Sequence, residues 1–183
     1  LAHALLEATK DADVCIDVHS GASHIRELPQ VRTPLIGPEL ELAKAMSLPI
    51  LWRREEEPCN VTGLVGAWRQ RSQLALHIVG GRGTTLDSSL ATIMADGITN
   101  LLSYMNIMNA IKNEHMVADV VSDNVEGYRA SCGGFFVPEV RVGDKVQRGR
   151  LLGYIQSPIG GSRLVELRAK SNGIVISLRA NPM

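Results

Sequence analysis

The alternation of short apolar runs with helical patterns between residues 1 and 114 is the feature that most limits how this chain can fold. Runs of four to eight apolar residues bounded by turn residues are typical of buried strands, and amphipathic segments between them are typical of crossover helices. This order predicts an α/β domain with flanking helices on a mostly parallel sheet. We predict strands near 14–18, 48–52 and 73–79, and helices near 1–10, 38–46, 62–70 and 87–105.

The segments between these elements are predicted to be irregular. Residues 20–34 are polar and contain Pro29 and Pro34, so we expect a loop. The charged run at 53–58 is expected to be a solvated loop or helix end. Asp87 or Ser88 is expected to cap the long helix that follows, because short polar side chains accept hydrogen bonds from helix N-terminal amides.

The pattern changes after residue 114, where short strand-like runs alternate with glycine turns such as Gly143-Asp144 and Asn172-Gly173. We therefore predict two domains, an α/β portion at 1–114 and a small all-β, barrel-like domain at 115–183. The chain does not begin with Met, and both ends fall next to apparent secondary structure. We expect it to be a fragment truncated at both ends.

Charge and composition disfavour several classes of partner. Lys and Arg together number 19, as do Asp and Glu, so no basic field is available to attract nucleic acid or an anionic membrane. No apolar run approaches the about 18 residues that a membrane helix needs. The three cysteines, Cys15, Cys59 and Cys132, show no CxxC spacing. A reduced, cytoplasmic location is the simplest expectation.

The predicted strand "VCIDVHSG" at 14–21 ends in polar residues, two of which could belong to a functional site. Asp17 and His19 are two residues apart, so their side chains lie on the same face of a strand. A carboxylate so placed can orient an imidazole or fix its tautomer, as metal-ligating and catalytic histidines require. The alternative is a solvated strand end that leads into a turn.

Three motifs in this order resemble the succinylglutamate desuccinylase/aspartoacylase family of zinc amidohydrolases. They are "DVH" at 17–19, a buried strand that closes in "GGRG" at 80–83 before a helix, and "GGFFVPEVRVGDKVQRGRLLGYIQ" with "LRAKSNGIVISL" near the end of the chain. The resemblance implies a zinc-carboxypeptidase-like fold, of which residues 1–114 would be the later portion of the catalytic domain. It also implies that the β-rich region is the family's C-terminal domain.

The resemblance further implies one zinc ion per site. In this family a His and a Glu of an H-x-x-E motif and the His of D-x-H hold the ion, and His19 matches the last of these. Asp17 would orient the His19 ring from the second coordination shell. No H-x-x-E precedes His19, so we expect the remaining ligands and the substrate arginines in a missing N-terminal region. The chain by itself is then expected to bind zinc weakly or not at all.

The catalytic glutamate of the family, in a strand that reads roughly E-L-G-G, is absent here. Counted back from Gly80, its position holds Ile78, and the neighbouring His77 is expected to face the other way unless the register shifts. His77 is either an interior imidazole, a replacement general base or a surface residue. Arg82, between glycines at a strand–helix junction, could bind an anionic substrate. For His24, Arg26 and Arg32, a solvated loop is the default alternative to lining the cleft.

Three functions remain open at this point. The favoured one is a zinc-dependent amidohydrolase that deacylates an N-acyl amino acid or similar small amide by metal-activated water. The second is a degenerate, non-catalytic member that binds a small carboxylated ligand, and the third is a structural domain with no site. Lys170 lacks the neighbours of a swinging-arm lysine, which disfavours a carrier domain. The expected partner is a small-molecule substrate, and a homo-oligomer is left open.

Overall fold

The computed structural model describes residues 2–34, 37–54, 63–109, 112 and 114–182. They fall into two compact units. The first comprises Leu1–Ser20, Pro29–Gly80 and Asp87–Val125, and the second comprises Gly21–Leu28, Gly81–Leu86 and Glu126–Met183. The domain boundary predicted at 114/115 stays a prediction. Of the charged run at 53–58, Arg53 and Arg54 are described and Arg53 ends a strand, whereas residues 55–58 and Cys59 lie outside the described residues.

A largely parallel sheet with helices forms the first unit, as the strand–helix alternation predicts. Its strands have the order β1-β4-β2-β3-β5, and the pairs β1–β4, β2–β3 and β3–β5 are parallel. The strands are β1 (Val14–Ser20), β2 (Ile25–Thr33), β3 (Ile50–Arg53), β4 (Leu74–Gly81) and β5 (Ala118–Val121). The helices are α1 (Ala2–Ala8), α2 (Pro38–Met46), α3 (Leu64–Gln70) and α4 (Ser88–Tyr104). No helix in these described parts has the length and apolarity to cross a membrane.

Apolar side chains are buried on both faces of this sheet. On one face, the larger core cluster joins the sheet to α2 and α4 through Val31, Leu51, Leu76, Ile78, Leu42, Ala43, Met46 and Leu101. On the other face, Cys15 and Ala75 pack with Trp68 of α3. Because side chains alternate along a strand, residues at odd positions of β1 and β4 share the second face.

Local sequence explains where the helices begin. Pro38 is at the first turn of α2, where its missing N–H costs no hydrogen bond. Asp87 caps α4, since its side chain accepts a hydrogen bond from the Leu90 amide at 3.2 Å. The cap predicted for α4 is therefore confirmed. Gly97 lets α4 pack closely against Leu48, because a Cβ at this position would lie 2.5 Å from Leu48 Cδ2.

The loop predicted at residues 20–34 is wrong over most of its length, since Ile25–Thr33 forms β2. The polar residues that suggested a loop are buried: Gln30 is fully buried and Thr33 is 2% exposed. Pro29 lies within the strand, although it cannot donate to a ladder. Tertiary burial on two faces overrides the local propensity that favours a loop.

The second unit contains small antiparallel sheets. Its strands are β6 (Phe135–Pro138), β7 (Lys145–Val146), β8 (Leu151–Gln156), β9 (Arg163–Arg168), β10 (Gly173–Ile174) and β11 (Ser177–Arg179). They pair in the orders β6-β8-β9 and β10-β7, and β11 pairs with residues 25–27 of β2. The predicted turn at Gly143-Asp144 includes a left-handed glycine, with φ of 91°. The barrel-like form predicted for this region stays a prediction.

Candidate metal centre

The register of β1 against β4 brings three potential metal ligands to one face of the sheet. Asp17 is paired with His77, and His19 lies two residues further along β1. Directly paired residues of neighbouring strands face the same side of a sheet, and so do residues two apart in one strand, so all three side chains lie on the same face. They lie toward the carboxyl ends of parallel strands, where binding sites of open α/β sheets are found.

The three side chains are in close contact. His19 Nε2 lies 2.8 Å from Asp17 Oδ2, and the His19 and His77 rings meet edge-to-face with centroids 5.0 Å apart. One potential ligand atom from each of the three residues lies within 4.8 Å of the others. The side chain of His19 is 54% exposed and that of Asp17 20%, so the cluster is open to a solvent-borne ion or substrate.

His77 and Ile78 face opposite sides of β4, as the alternation of side chains predicts, and it is His77 that shares a face with Asp17 and His19. Alternation within β4 does not tell which of the two residues lies beside Asp17, and the pairing of Asp17 with His77 assigns that place to His77. Ile78, which occupies the expected glutamate position, is fully buried in the opposite core. The position expected to hold the glutamate therefore does not face the cluster, and the neighbouring His77 does.

His77 is an uncharged imidazole near neutral pH. Burial lowers the pKa of His77 to about 4, and the positive charges of Arg32, His19 and Arg54 act in the same direction, against an opposing effect of Asp17. A neutral ring keeps a lone pair for a metal ion. Cys15, two residues before Asp17, is buried, and burial raises the pKa of its thiol, which disfavours the thiolate that metals bind.

Two arginines that pack on the Trp52 ring add positive charge near His77. The Arg32 Cζ lies 5.2 Å from the centroid of the Trp52 ring, and the Arg54 Cζ lies 5.8 Å from it. Arg32 of β2 is directly opposite Trp52 of β3 in the ladder. The loop expected at 20–34 includes Arg32, whereas no sequence pattern points to Trp52 or Arg54. The pairing of Arg32 with Trp52 can be recognised only when residues 25–33 are known to form a strand beside β3.

Arg82 belongs to the second unit, where its side chain is used in local contacts. Its Nε donates to the Ser23 carbonyl at 2.7 Å, and its Nη2 donates to Asn181 Oδ1. The main chain of Arg82 forms an isolated antiparallel β-bridge with Thr85. The binding of an anionic substrate by Arg82 stays a prediction.

The residues of the cluster fit a zinc ion by their chemistry. Two imidazole nitrogens and one carboxylate oxygen are a ligand set that catalytic zinc sites use, with a further position left for water or substrate. Asp17 Oδ2 lies 2.8 Å from His19 Nε2, so Asp17 is either that carboxylate ligand or, through a hydrogen bond from the His19 ring, the residue that orients it, and the orienting role stays a prediction. These residues are therefore the ones in the described chain that would hold such an ion.

Comparison with known proteins identifies the fold. The sequence matches no protein-family model and no curated protein sequence. Among solved structures, the product-bound ectoine utilization protein EutE (DoeB) from Ruegeria pomeroyi superposes with a TM-score of 0.76 and 19% identity, over 96% of this chain and 57% of that chain. A succinylglutamate desuccinylase from Silicibacter sp. gives the same values.

An aspartoacylase family protein from Mesorhizobium loti superposes with a TM-score of 0.74 and 18% identity, over 98% of this chain and 62% of that chain. This chain therefore spans less than two thirds of the length of these solved chains. The fold-level resemblance predicted from the three sequence motifs is confirmed. The chain has the fold of the succinylglutamate desuccinylase/aspartoacylase family.

Proposed function

We propose that the intact protein is a zinc-dependent amidohydrolase that deacylates an N-acyl amino acid or a similar small amide. The observation that carries this proposal is the cluster of Asp17, His19 and His77 at the carboxyl ends of two neighbouring strands. The fold supports it, because solved chains with this fold include one named as a succinylglutamate desuccinylase.

The residues of the cluster have separate tasks in this proposal. When bound, zinc polarises the amide carbonyl and lowers the pKa of a bound water to about 7. His19 holds the ion, and Asp17 accepts a hydrogen bond from the His19 ring and so fixes its orientation. A general-base role for His77 stays a prediction, and a pKa of about 4 argues against it, because bases work best with a pKa near the working pH.

The charge around the cluster favours an anionic substrate. Arg32 and Arg54 both act on His77 as positive charges. A guanidinium can bind a carboxylate through two parallel hydrogen bonds, and its attraction is stronger in a partly buried site than in water. We therefore extend the proposal to a substrate that carries a carboxylate, such as an acyl amino acid. Barrel-like closure of the β-rich region and a cytoplasmic setting belong to the same proposal.

Hydrolysis by the intact protein tests this function. Zinc-loaded protein would be incubated with a panel of N-acetyl and N-succinyl amino acids, and release of the free amine would be measured. We expect turnover that His19→Ala lowers at least about 1,000-fold in kcat/KM, because loss of a ligand removes the activated water. His3→Ala, on the exposed surface of α1, is the matched control and should retain full activity.

Two results would contradict the proposal. Full activity in His19→Ala would remove the metal ligand from the mechanism. Tight binding of an acyl amino acid by the zinc-loaded protein without any release of amine would favour the non-catalytic alternative.

A further inference from the structure

The zero net charge of the chain hides an uneven distribution of charge between the two units. The first unit contains 8 Lys and Arg against 14 Asp and Glu, whereas the second unit contains 11 against 5. The second unit therefore carries a net charge of +6 and the first unit a net charge of −6. An approaching anion responds mainly to charges within about 8 Å at physiological ionic strength, so it meets the charge of the nearest surface and not the average of the chain.

Arginine supplies most of the positive charge of the second unit. Nine of its 11 basic residues are Arg and two are Lys. A guanidinium is planar and presents two parallel N–H donors, whereas an ammonium acts as a point charge. The composition of this unit therefore favours a partner that carries phosphate or carboxylate groups.

Four of these basic residues lie on two segments, 148–150 and 168–172, that are hydrogen-bonded to each other. The Gly149 amide donates to the Ala169 carbonyl at 2.7 Å, and the Ala169 amide donates to the Arg150 carbonyl at 2.9 Å. Ala169 is only 5% exposed, so the two segments are anchored in the interior of the unit. The basic side chains on them are exposed, and we call them the basic surface: Arg148, Arg150, Arg168 and Lys170.

Carboxylates neutralise only part of the basic surface. Glu166 lies 2.7 Å from the Arg168 guanidinium, and Glu126 is close enough to Lys170 to interact with its charge. The other two members of the basic surface contact no carboxylate in the part of the chain that the structure describes. Their guanidinium groups are therefore available to an external anion.

An aromatic ring adjoins the basic surface. Tyr128 Oη accepts a hydrogen bond from the Lys170 amide at 2.9 Å, and Lys170 Nζ lies 5.5 Å from the centroid of the Tyr128 ring. The tyrosine is partly exposed. Basic side chains beside an aromatic ring are typical of proteins that bind single-stranded nucleic acid, because the cations bind phosphates and the ring stacks on a base. The ring thus favours a phosphate-bearing polymer over a carboxylate.

We propose that the basic surface and the Tyr128 ring bind single-stranded nucleic acid through its phosphate backbone, with little preference for base sequence. Counterion release by the four basic side chains and the stacking of one base supply the affinity. The proposal does not depend on hydrolysis by the intact protein.

An anionic membrane fits this surface less well. Docking on a bilayer also needs apolar side chains beside the basic ones. Among the described residues of 126–183, the large exposed apolar side chains are Ile159 and Leu164, which lie just before and at the start of β9. The basic surface adjoins the other end of β9 at Arg168, about 13 Å along the strand from Leu164.

Fluorescence anisotropy of a labelled oligo(dT) tests the proposal with the 183-residue chain. Kd would be measured between about 50 mM and 200 mM KCl, and log Kd should rise with log salt concentration with a slope of about 3, since each neutralised phosphate of a single strand contributes about 0.7. Replacing Arg148 and Arg150 together by Gln should weaken binding at least about tenfold and lower the slope by about 1.4.

Two sets of variants serve as matched controls. Lys44→Gln with Arg71→Gln removes the same charge from the first unit, where both side chains are exposed, and should leave Kd unchanged. Tyr128→Leu should weaken binding at least about fivefold through loss of the stacked base, whereas Tyr128→Phe keeps the ring and should bind as the unaltered chain does. Circular dichroism would confirm that each variant keeps its secondary structure.

Three results would overturn the proposal. The first is absence of oligo(dT) binding by the unaltered folded chain at about 50 mM KCl. The second is an equal loss of affinity in the Arg148/Arg150 and Lys44/Arg71 variants, which would show that only the net charge matters. The third is tighter binding to phosphatidylserine vesicles than to oligo(dT) in a co-sedimentation assay, which would identify a membrane as the partner. Equal binding by Tyr128→Leu and Tyr128→Phe would refute the stacking contribution.

Discussion

Glu39 is the residue whose removal should damage the first unit most clearly. Although it lies in the first turn of α2, it is only 7% exposed. Its carboxylate accepts hydrogen bonds from Arg69 Nε and Nη2, at 2.9 Å and 2.7 Å, and from the Ala75 amide at 2.7 Å. Glu39 thereby ties α2 to α3 and to β4, two residues before His77.

Replacing Glu39 by Ala should lower the free energy of unfolding by about 3–5 kcal/mol. Removal of one partner of a buried ion pair leaves the other charge partly desolvated, and the buried Ala75 amide loses its acceptor as well. Arg69 keeps its hydrogen bond to the Ala75 carbonyl at 3.0 Å, which places the expected loss nearer the lower end of this range. Glu39→Gln keeps one acceptor oxygen and should cost less than Glu39→Ala.

Urea denaturation measured by circular dichroism would test this prediction, with Glu41→Ala as the matched control. Glu41 lies in the same turn of α2 but is 60% exposed, and its contact with Lys44 at 2.7 Å is an exposed pair. Exposed pairs contribute about 0–1 kcal/mol. If Glu39→Ala and Glu41→Ala destabilise the protein equally, the argument that burial makes the Glu39 contacts strong is refuted.

Three further predictions concern His77, a glycine of β8 and the N-terminal cap of α4. In metal-free protein, NMR should give a His77 titration midpoint near pH 4, and Arg32→Gln should raise it; a midpoint near 6.5 in the unaltered protein would contradict the burial argument. Because the folded-state pKa of His77 is lowered, its contribution to stability is complete above about pH 6.5 and is lost as the pH falls toward 4. Gly153→Ala should lower the free energy of unfolding by about 1–3 kcal/mol, since a Cβ there would lie 2.5 Å from an aromatic carbon of β6. Gly173→Ala, where a Cβ meets no atom within 4 Å, is its control, and equal effects of the two would refute the steric explanation. Asp87→Ala removes the α4 cap and should cost about 1 kcal/mol in thermal or urea unfolding; an unchanged midpoint would show that the cap contributes nothing.

Features that depend on neighbouring residues were predictable from the sequence. The Asp87 cap, the Pro38 start of α2 and the shared face of Asp17 and His19 follow from helix and strand geometry within a few residues. The order of buried strands and helices was enough to indicate a parallel sheet.

Features that depend on partners far along the chain were not predictable. The polar residues Gln30 and Thr33 favour a loop at the position of β2. Both are buried in the structure because β2 lies inside the sheet. The sequence alone does not show that His77 lies beside Asp17, because strand register is a property of the pair and not of one strand. The same limitation hid the stacking of Arg32 on Trp52, since that contact exists only between paired strands.

The parallel pairing of β1 with β4 would couple ion binding at the candidate metal centre to the stability of the sheet. Asp17 and His19 remain neighbours in an unfolded chain, but His77 follows about sixty residues later, so an ion bound to His77 and to either of the others would close a long loop of the chain. Its binding would stabilise the native state by an amount that grows with the logarithm of the ion concentration once that concentration exceeds Kd. A slip of one residue between the strands would turn His77 to the opposite face. Measuring the affinity for the ion during refolding would therefore report whether β1 and β4 have paired in the native register.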